Sequence, residues 1–205
     1  MQGLTAKFFR RTALMLCAVL CVASMSATAF AQTAAPKERI GIAGPVQFGG
    51  VPFKLAWTSH PSPQYYKQEY LPAGQSVDHY KSMLMIEHIV CGATVAQSAR
   101  TMIDNLKTRK ATDPVVNYDV ITNKATGEMI LDFVMSATGA DGKEILEWNA
   151  YRYSKQGAGI RLVGISRRVY GDDVTPFLKN QLGAVRKRDI DALSKLVLPA
   201  IRVAP

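Results

Sequence analysis

The chain has 205 residues, 48% of them hydrophobic and 20% charged, with 25 Lys and Arg against 16 Asp and Glu. That balance belongs to a folded globular chain and excludes the disordered and collagen-like classes. Three cysteines exclude a disulfide scaffold, and no apolar run reaches the about 18 to 20 residues that a membrane-spanning helix needs.

Residues 1–31 are expected to be an export signal. Lys7, Arg10 and Arg11 form a positive start, Leu14 to Val22 an apolar run, and Ala29-Phe30-Ala31 a small-residue cleavage pattern. Cys17 and Cys21 each follow Leu, where lipid attachment needs a small residue. Cleavage removes three positive charges and two of the three cysteines. Cys91 is then alone, cannot form an internal disulfide, and reads as a small buried hydrophobe. The expected location is periplasmic or secreted, of Gram-negative type, with no transmembrane segment after cleavage.

Residues 32–50, rich in Ala, Gly and Pro, read as a flexible lead-in, 51–198 as a single domain and 199–205 as a C-terminal tail. Phe53, Leu55 and Trp57 alternate with Lys54, Ala56 and Thr58, which is strand spacing. Ser62-Pro63 breaks that strand, and a second runs from Tyr65 to Leu71. Pro72-Ala73-Gly74 is a turn, Ser76 is placed to cap a short helix to about Ser82, and Met83 to Cys91 reads as a buried strand. Thr94-Val95-Ala96-Gln97 is a capping box, in which hydroxyl and amide satisfy open backbone N–H groups. Val95, Ala99, Met102, Ile103 and Leu106 follow at helical spacing, and Lys107, Arg109 and Lys110 suit the helix dipole before Pro114 ends it. Four strands then alternate with Gly-bearing turns: 115–123, 128–138, 143–155 and 160–170. Thr175-Pro176 opens a second long helix with Thr as cap and Pro at the first helical position. The expected class is α+β, an antiparallel sheet with a four-stranded meander and two long helices packed on it.

That order of elements resembles the PsbP-like fold, an α/β sandwich named for an extrinsic subunit of photosystem II. The stretch Glu69-Tyr70-Leu71-Pro72-Ala73-Gly74-Gln75-Ser76, followed by Tyr80 and Met83, is similar to a motif of small exported proteobacterial proteins without assigned activity. The resemblance covers about residues 51–198 and implies a binding or assembly factor rather than a catalyst. It carries no metal ligand or partner-contact residue onto this chain.

Tight turns would set Asn123 opposite Glu128, Thr138 opposite Lys143 and Lys155 opposite Ile160. Alternation then gives one apolar face, from Val116, Tyr118, Val120, Met129, Leu131, Phe133 and Met135 across to Leu146, Trp148, Val163, Ile165 and Val169, with both helices covering it. Arg167 would lie on that face beside Trp148. The other face would carry Asp119, Asp132, Asn149 and Ser166 in one row, with Glu147 and Arg168 in the next. A like-charge pair such as Asp119 and Asp132 needs a cation, an arginine, a raised pKa or water. These six residues are the candidate ligand or partner site.

His79 and His88 near Glu87 and Cys91 do not form a metal site, because Glu87 and His88 point to opposite sides of a strand. No nucleophile elbow, metalloprotease helix, P-loop or dinucleotide fingerprint occurs. No catalytic residue, cofactor, metal or nucleic-acid partner is therefore expected. The basic run Arg186, Lys187 and Arg188 is a surface for anionic partners or a solvated helix face. The expected function is an exported, non-catalytic protein binding an envelope protein or small ligand, an assembly or accessory factor, with Tyr65, Tyr66, Tyr70 and Tyr80 exposed for the purpose. The alternatives are an envelope hydrolase or a divalent-cation-dependent factor, both built on the Asp119/Asp132 row.

Overall fold

The structure is a computed structural model and describes residues 35–203; the expected export signal lies outside them. Eight antiparallel strands form one curled, half-barrel sheet. They are β1 (Val46–Phe48), β2 (Val51–Ser62), β3 (Tyr65–Leu71), β4 (Ser82–Ile89), β5 (Asn117–Thr122), β6 (Met129–Thr138), β7 (Glu144–Gln156) and β8 (Gly159–Tyr170). Their order across the sheet is β1-β2-β3-β4-β8-β7-β6-β5, so two meanders meet where β4 pairs with β8. Helix α1 (Val95–Arg109) connects them, and a helical run of 25 residues, α2 (171–195), follows β8. No helix among the described residues is long and apolar enough to cross a membrane.

The capping box of α1 forms as its sequence implies: Gln97 N–H donates to Thr94 Oγ1 at 3.2 Å, and Thr94 N–H to Gln97 Oε1 at 2.8 Å. Helix α2 starts earlier than Thr175-Pro176 suggests, as a 3-10 turn at Gly171–Asp173. It widens to a π segment at Phe177–Gln181 and continues as an α-helix over Leu182–Lys195. The expected short helix after Ser76 is absent. The segment instead wraps around a side chain, with Gln75 Oε1 accepting from Lys81 N–H at 2.7 Å and Ser82 N–H at 3.0 Å.

The largest departure is one residue long. The β5–β6 and β7–β8 hairpins pair as their turns imply, Asp119 opposite Asp132 and Asn149 opposite Ser166. Between β6 and β7, however, Thr138 pairs with Glu144 rather than Lys143. The loop holds five residues, closed by Gly139 N–H donating to Lys143 O at 2.8 Å, with Gly142 at φ +77°. Only glycine takes that conformation without strain. A slip of one residue turns every side chain of the next strand to the other face. Asp132 therefore lies opposite Ala150, and the two hairpins exchange faces.

Consequently both faces of the sheet are buried, each under its own helix. On one face Ile130, Val134, Leu146, Trp148, Ala150, Val163 and Ile165 pack with Val174, Phe177 and Leu193 of α2. On the other, Leu131, Phe133, Tyr153, Ile160, Leu162, Met83 and Met85 pack with Ala99 and Leu106 of α1. The predicted single apolar face is split between these two cores. Part of the expected lead-in is packed as well: Ile40, Ile42, Val46 and Phe48 are buried on the α2 face. Arg202 N–H donates to Ile40 O at 2.9 Å, and Ile201 and Val203 join the same core. At the β5 edge, Asn117 Oδ1 and Asp119 Oδ1 take the N–H groups of Tyr118 and Val120, which blunts that edge against strand addition.

Candidate functional site

The face exchange divides the six residues expected to form one strip. Asp119 and Asp132 lie on the α2 face; Asn149, Ser166, Glu147 and Arg168 lie on the α1 face. None of the latter four is on an open surface: Asn149 and Ser166 are fully buried, Glu147 is 6% exposed, and Arg168 is half-buried.

On the α2 face, Asp132 meets Arg186 from the helix in a two-pronged pair, with Nε to Oδ1 and Nη2 to Oδ2 both at 2.8 Å. Arg186 also reaches Asp119 at 3.7 Å. This guanidinium supplies the compensation that the like-charge pair requires. Asp189 of α2, wholly buried, accepts from Arg167 Nε at 2.6 Å and Arg188 Nε at 2.8 Å. Arg167 thus lies beside Trp148, as expected, and reaches from there to the helix. The basic run of α2 is largely spent in these pairs. Arg152 donates to the Leu193, Ser194 and Leu196 carbonyls, closing the end of α2. Polar groups on this face dock a helix.

The α1 face is different. Beyond the strip covered by α1, strands β3, β4, β7 and β8 bring charged side chains together at intermediate depth. Lys67 meets Glu69 at 2.9 Å and Glu87 at 3.9 Å, with side-chain exposures of 17%, 13% and 13%. Glu147 Oε2 accepts from Tyr80 Oη at 2.8 Å and Arg168 Nε at 2.7 Å, while Arg168 Nη2 donates to Tyr80 Oη at 2.7 Å. The Arg168 guanidinium stacks 4.0 Å from the Tyr80 ring centre. Between these groups the Tyr151 ring lies directly on Gly164: a Cβ there would come within 2.8 Å of both the ring and Met85 Cγ. Only a glycine allows that approach, and it leaves the ring as part of the floor.

The electrostatics of this cluster are uneven. Burial pushes the Glu87 carboxyl above its usual range, against the pull of Lys67. Burial alone would lower the Lys67 ammonium, but Glu87 and Glu69 outweigh it and hold it above the lysine range, with Glu147 adding to the effect. Burial, reinforced by Glu147 and Glu87, raises the Tyr151 hydroxyl. Beside Glu147 and Tyr151 on β7, Asn149 accepts from Ser166 Oγ through Oδ1, whereas its Nδ2 has no partner. A fully buried amide donor left open is costly.

The sequence points to Glu147, Asn149, Ser166 and Arg168, and to Tyr65 among the tyrosines, but not to Lys67, Glu69, Glu87 or Tyr151 as members of this cluster. The Glu69–Ser76 motif was the available signal: Glu69 enters the cluster, and Gln75 shapes the loop that delivers Tyr80. The tyrosines expected to be exposed are not, since Tyr66, Tyr70 and Tyr80 are buried and Tyr65 is half-buried. His79 stacks on Tyr170, and His88 faces α2, away from Glu87. Among the described residues no three His, Cys, Asp or Glu side chains are grouped to hold a metal ion. Cys91 is half-buried and unpaired.

No curated protein and no solved structure matches the chain. A family model does match residues 40–198, the span of both cores and of the cluster on the α1 face. The chain belongs to that family, an uncharacterised one of α+β architecture.

Proposed function

We propose that the chain is an exported, non-catalytic binding protein whose small ligand sits on the α1 face, over Tyr151 and Gly164, among Lys67, Glu69, Glu87, Glu147 and Arg168. Export follows from the leader pattern. The binding role rests above all on the depth of the cluster: its charged side chains are 8% to 17% exposed, recessed from a flat partner surface yet not sealed. Groups at that depth lose much of their hydration and retain access to a small molecule. The PsbP-like resemblance, which implies binding and assembly factors, points the same way.

The hydrolase and cation-dependent alternatives have less support. Asp132 is only 3% exposed, and both its oxygens accept from Arg186. Neither aspartate has a neighbouring group placed as its acid or base partner.

Native mass spectrometry of protein purified from exporting cells, with thermal-shift screening of polar metabolites, tests the proposal. The expected result is a small molecule bound by the wild type and by Asp119→Asn, and lost from a Lys67→Met, Glu69→Leu double variant. Retention by that double variant, or no saturable binding by any compound, overturns the reading.

A further inference from the structure

The connecting segments sort to the two ends of the sheet, and the ends differ in charge. One end holds the β2–β3, β5–β6 and β7–β8 turns, the exit of β4 toward α1, and the segment after α2. The ladders fix this placement: Lys155, Ile160, Ile89 and Tyr65 stand opposite one another in one row across β7, β8, β4 and β3. The next row inward holds Ser154, Arg161, His88 and Tyr66. Val90, one step beyond the last row, donates its N–H to Gln64 O in the β2–β3 turn at 2.8 Å. Arg152 Nη2 donates to Leu196 O at 2.9 Å, which brings the residues after α2 to the same end.

Cations at this end lack acidic partners. Lys124 and Lys155 are exposed and Arg161 is half-buried, and among the described residues none of the three has a carboxylate within 4.0 Å. The segments 62–65, 89–94, 123–128, 156–159 and 196–199 contain one acid, Glu128, whose field falls on the buried Arg152. Helix α1 adds the positive end of its dipole, with no acid in its first turn. At the opposite end, Asp78, Asp141, Glu144, Asp172 and Asp173 are interspersed with the lysines.

Exposed apolar side chains share the basic end. Of the four large hydrophobic residues exposed among the described residues, Val90, Ile121 and Val197 lie here, and Val51 lies elsewhere. Val197 is 89% exposed, and Ile121 is the penultimate residue of β5, beside the turn that carries Lys124. Unpaired cations among bare aliphatic side chains match a surface that is negative outside and apolar just beneath.

We propose that this end of the sheet docks on a bilayer rich in anionic phospholipid, as a peripheral and reversible contact. Lys124, Lys155 and Arg161 meet the phosphates, while Val90 and Val197 enter the headgroup layer. Each cation near such a surface strengthens partitioning about fivefold. Charge alone therefore holds weakly, and the aliphatic contacts supply the second signal. This surface is separate from the ligand seat on the α1 face and does not depend on it.

Co-sedimentation of the exported chain with vesicles, after a mass check that the leader is gone, tests the proposal. Vesicles of phosphatidylglycerol and phosphatidylethanolamine are expected to hold the protein at about 0.1 M salt and release it at about 0.5 M. Vesicles of phosphatidylcholine are expected to hold none. The double variant Lys124→Gln, Lys155→Gln is expected to weaken binding about twentyfold, and Val197→Ser a few-fold, with melting temperatures unchanged. Lys54→Gln, Lys81→Gln, equal in net charge but at the opposite end, is expected to bind as the wild type does. Equal weakening by both double variants reduces the effect to net charge and overturns the proposal. Full retention by the Lys124 and Lys155 variant, or no binding to any vesicle, overturns it too. Capture by soluble polyglutamate but not by vesicles overturns the membrane assignment in favour of an acidic polypeptide.

Discussion

The two faces of this sheet both bury charge, and they differ in where the partners come from. On the α2 face, Asp132 draws its arginine from the helix that covers it, and Asp189 of that helix draws Arg167 from β8. Arg152 reaches across the same boundary to three carbonyls at the helix end. Each bond joins two elements, which is what docking requires. On the α1 face, Lys67, Glu69, Glu87, Glu147 and Arg168 all belong to the sheet. The cluster fastens no helix, carries a surplus carboxylate and includes an open amide. Charge matched across a boundary holds a fold together, whereas charge gathered on one side of it and imperfectly matched is the deficit that the proposed ligand would complete.

Breaking the matched side should have the largest effect. Asp189→Ala strips a buried carboxylate from Arg167 and Arg188, and losing one partner of a buried pair costs about 3 to 5 kcal/mol. Arg188 is surface-exposed and rehydrates, so the lower end is expected, read as a shifted urea midpoint. A value below about 1 kcal/mol would mean that the Arg167–Asp189 pair adds little to the docking of α2.

Asp113, at the far end of α1, gives a smaller effect with a pH signature. It accepts from Ser136 N–H and Oγ, both at 2.8 Å, and from Arg109 Nε at 3.0 Å. Burial works to raise its carboxyl, but the Ser136 and Arg109 bonds prevail and hold it below the ordinary value of 3.8. A depressed acid contributes stability above its unfolded pKa and loses it as pH falls through the folded one. Asp113→Asn is therefore expected to cost about 1 to 2 kcal/mol at pH 7. Paired denaturation curves should converge below pH 3.8; a pH-independent gap would assign the effect to packing instead.

Seven of the eight strands, the α1 cap and two of the three meander turns were legible because alternation, a capping box and Gly-bearing loops act locally, whereas β1 lies within the expected lead-in. The site was not, and a single loop explains most of that. Gly139 and Gly142 both lie where the third turn closes, and nothing local says that Lys143 belongs to the loop. The wrong choice joins Asp132 to Asn149 in one row when the folded chain sets them on opposite faces. Lys67, Glu69 and Glu87 were hidden differently. They alternate with Gln68, Tyr70 and His88, so a strand with one wet face accounts for them, and only the second core beneath α1 shows that this side is recessed. Ile40 and Ile42 carry no periodicity of their own, since their partners are α2 and the C-terminal segment, far away in sequence.

The last test reverses the usual sign. Glu87 is faced by Lys67, Glu69 and Tyr65 from β3 and by Tyr151 and Tyr153 from β7. Burial raises its carboxyl above the ordinary 4.5 in spite of Lys67. The folded state therefore holds that proton more tightly than the unfolded chain, so Glu87 subtracts stability as pH rises past 4.5, and the deficit is complete above its folded pKa. Removing the charge should help: Glu87→Gln is expected to stabilise the free protein at pH 7 by about 1 kcal/mol, a rise of roughly 2 to 4 °C in melting temperature. The gain should vanish below pH 4. If Glu87→Gln instead destabilises the protein at pH 7, Lys67 already satisfies the carboxylate, and the α1 face is matched as fully as its counterpart.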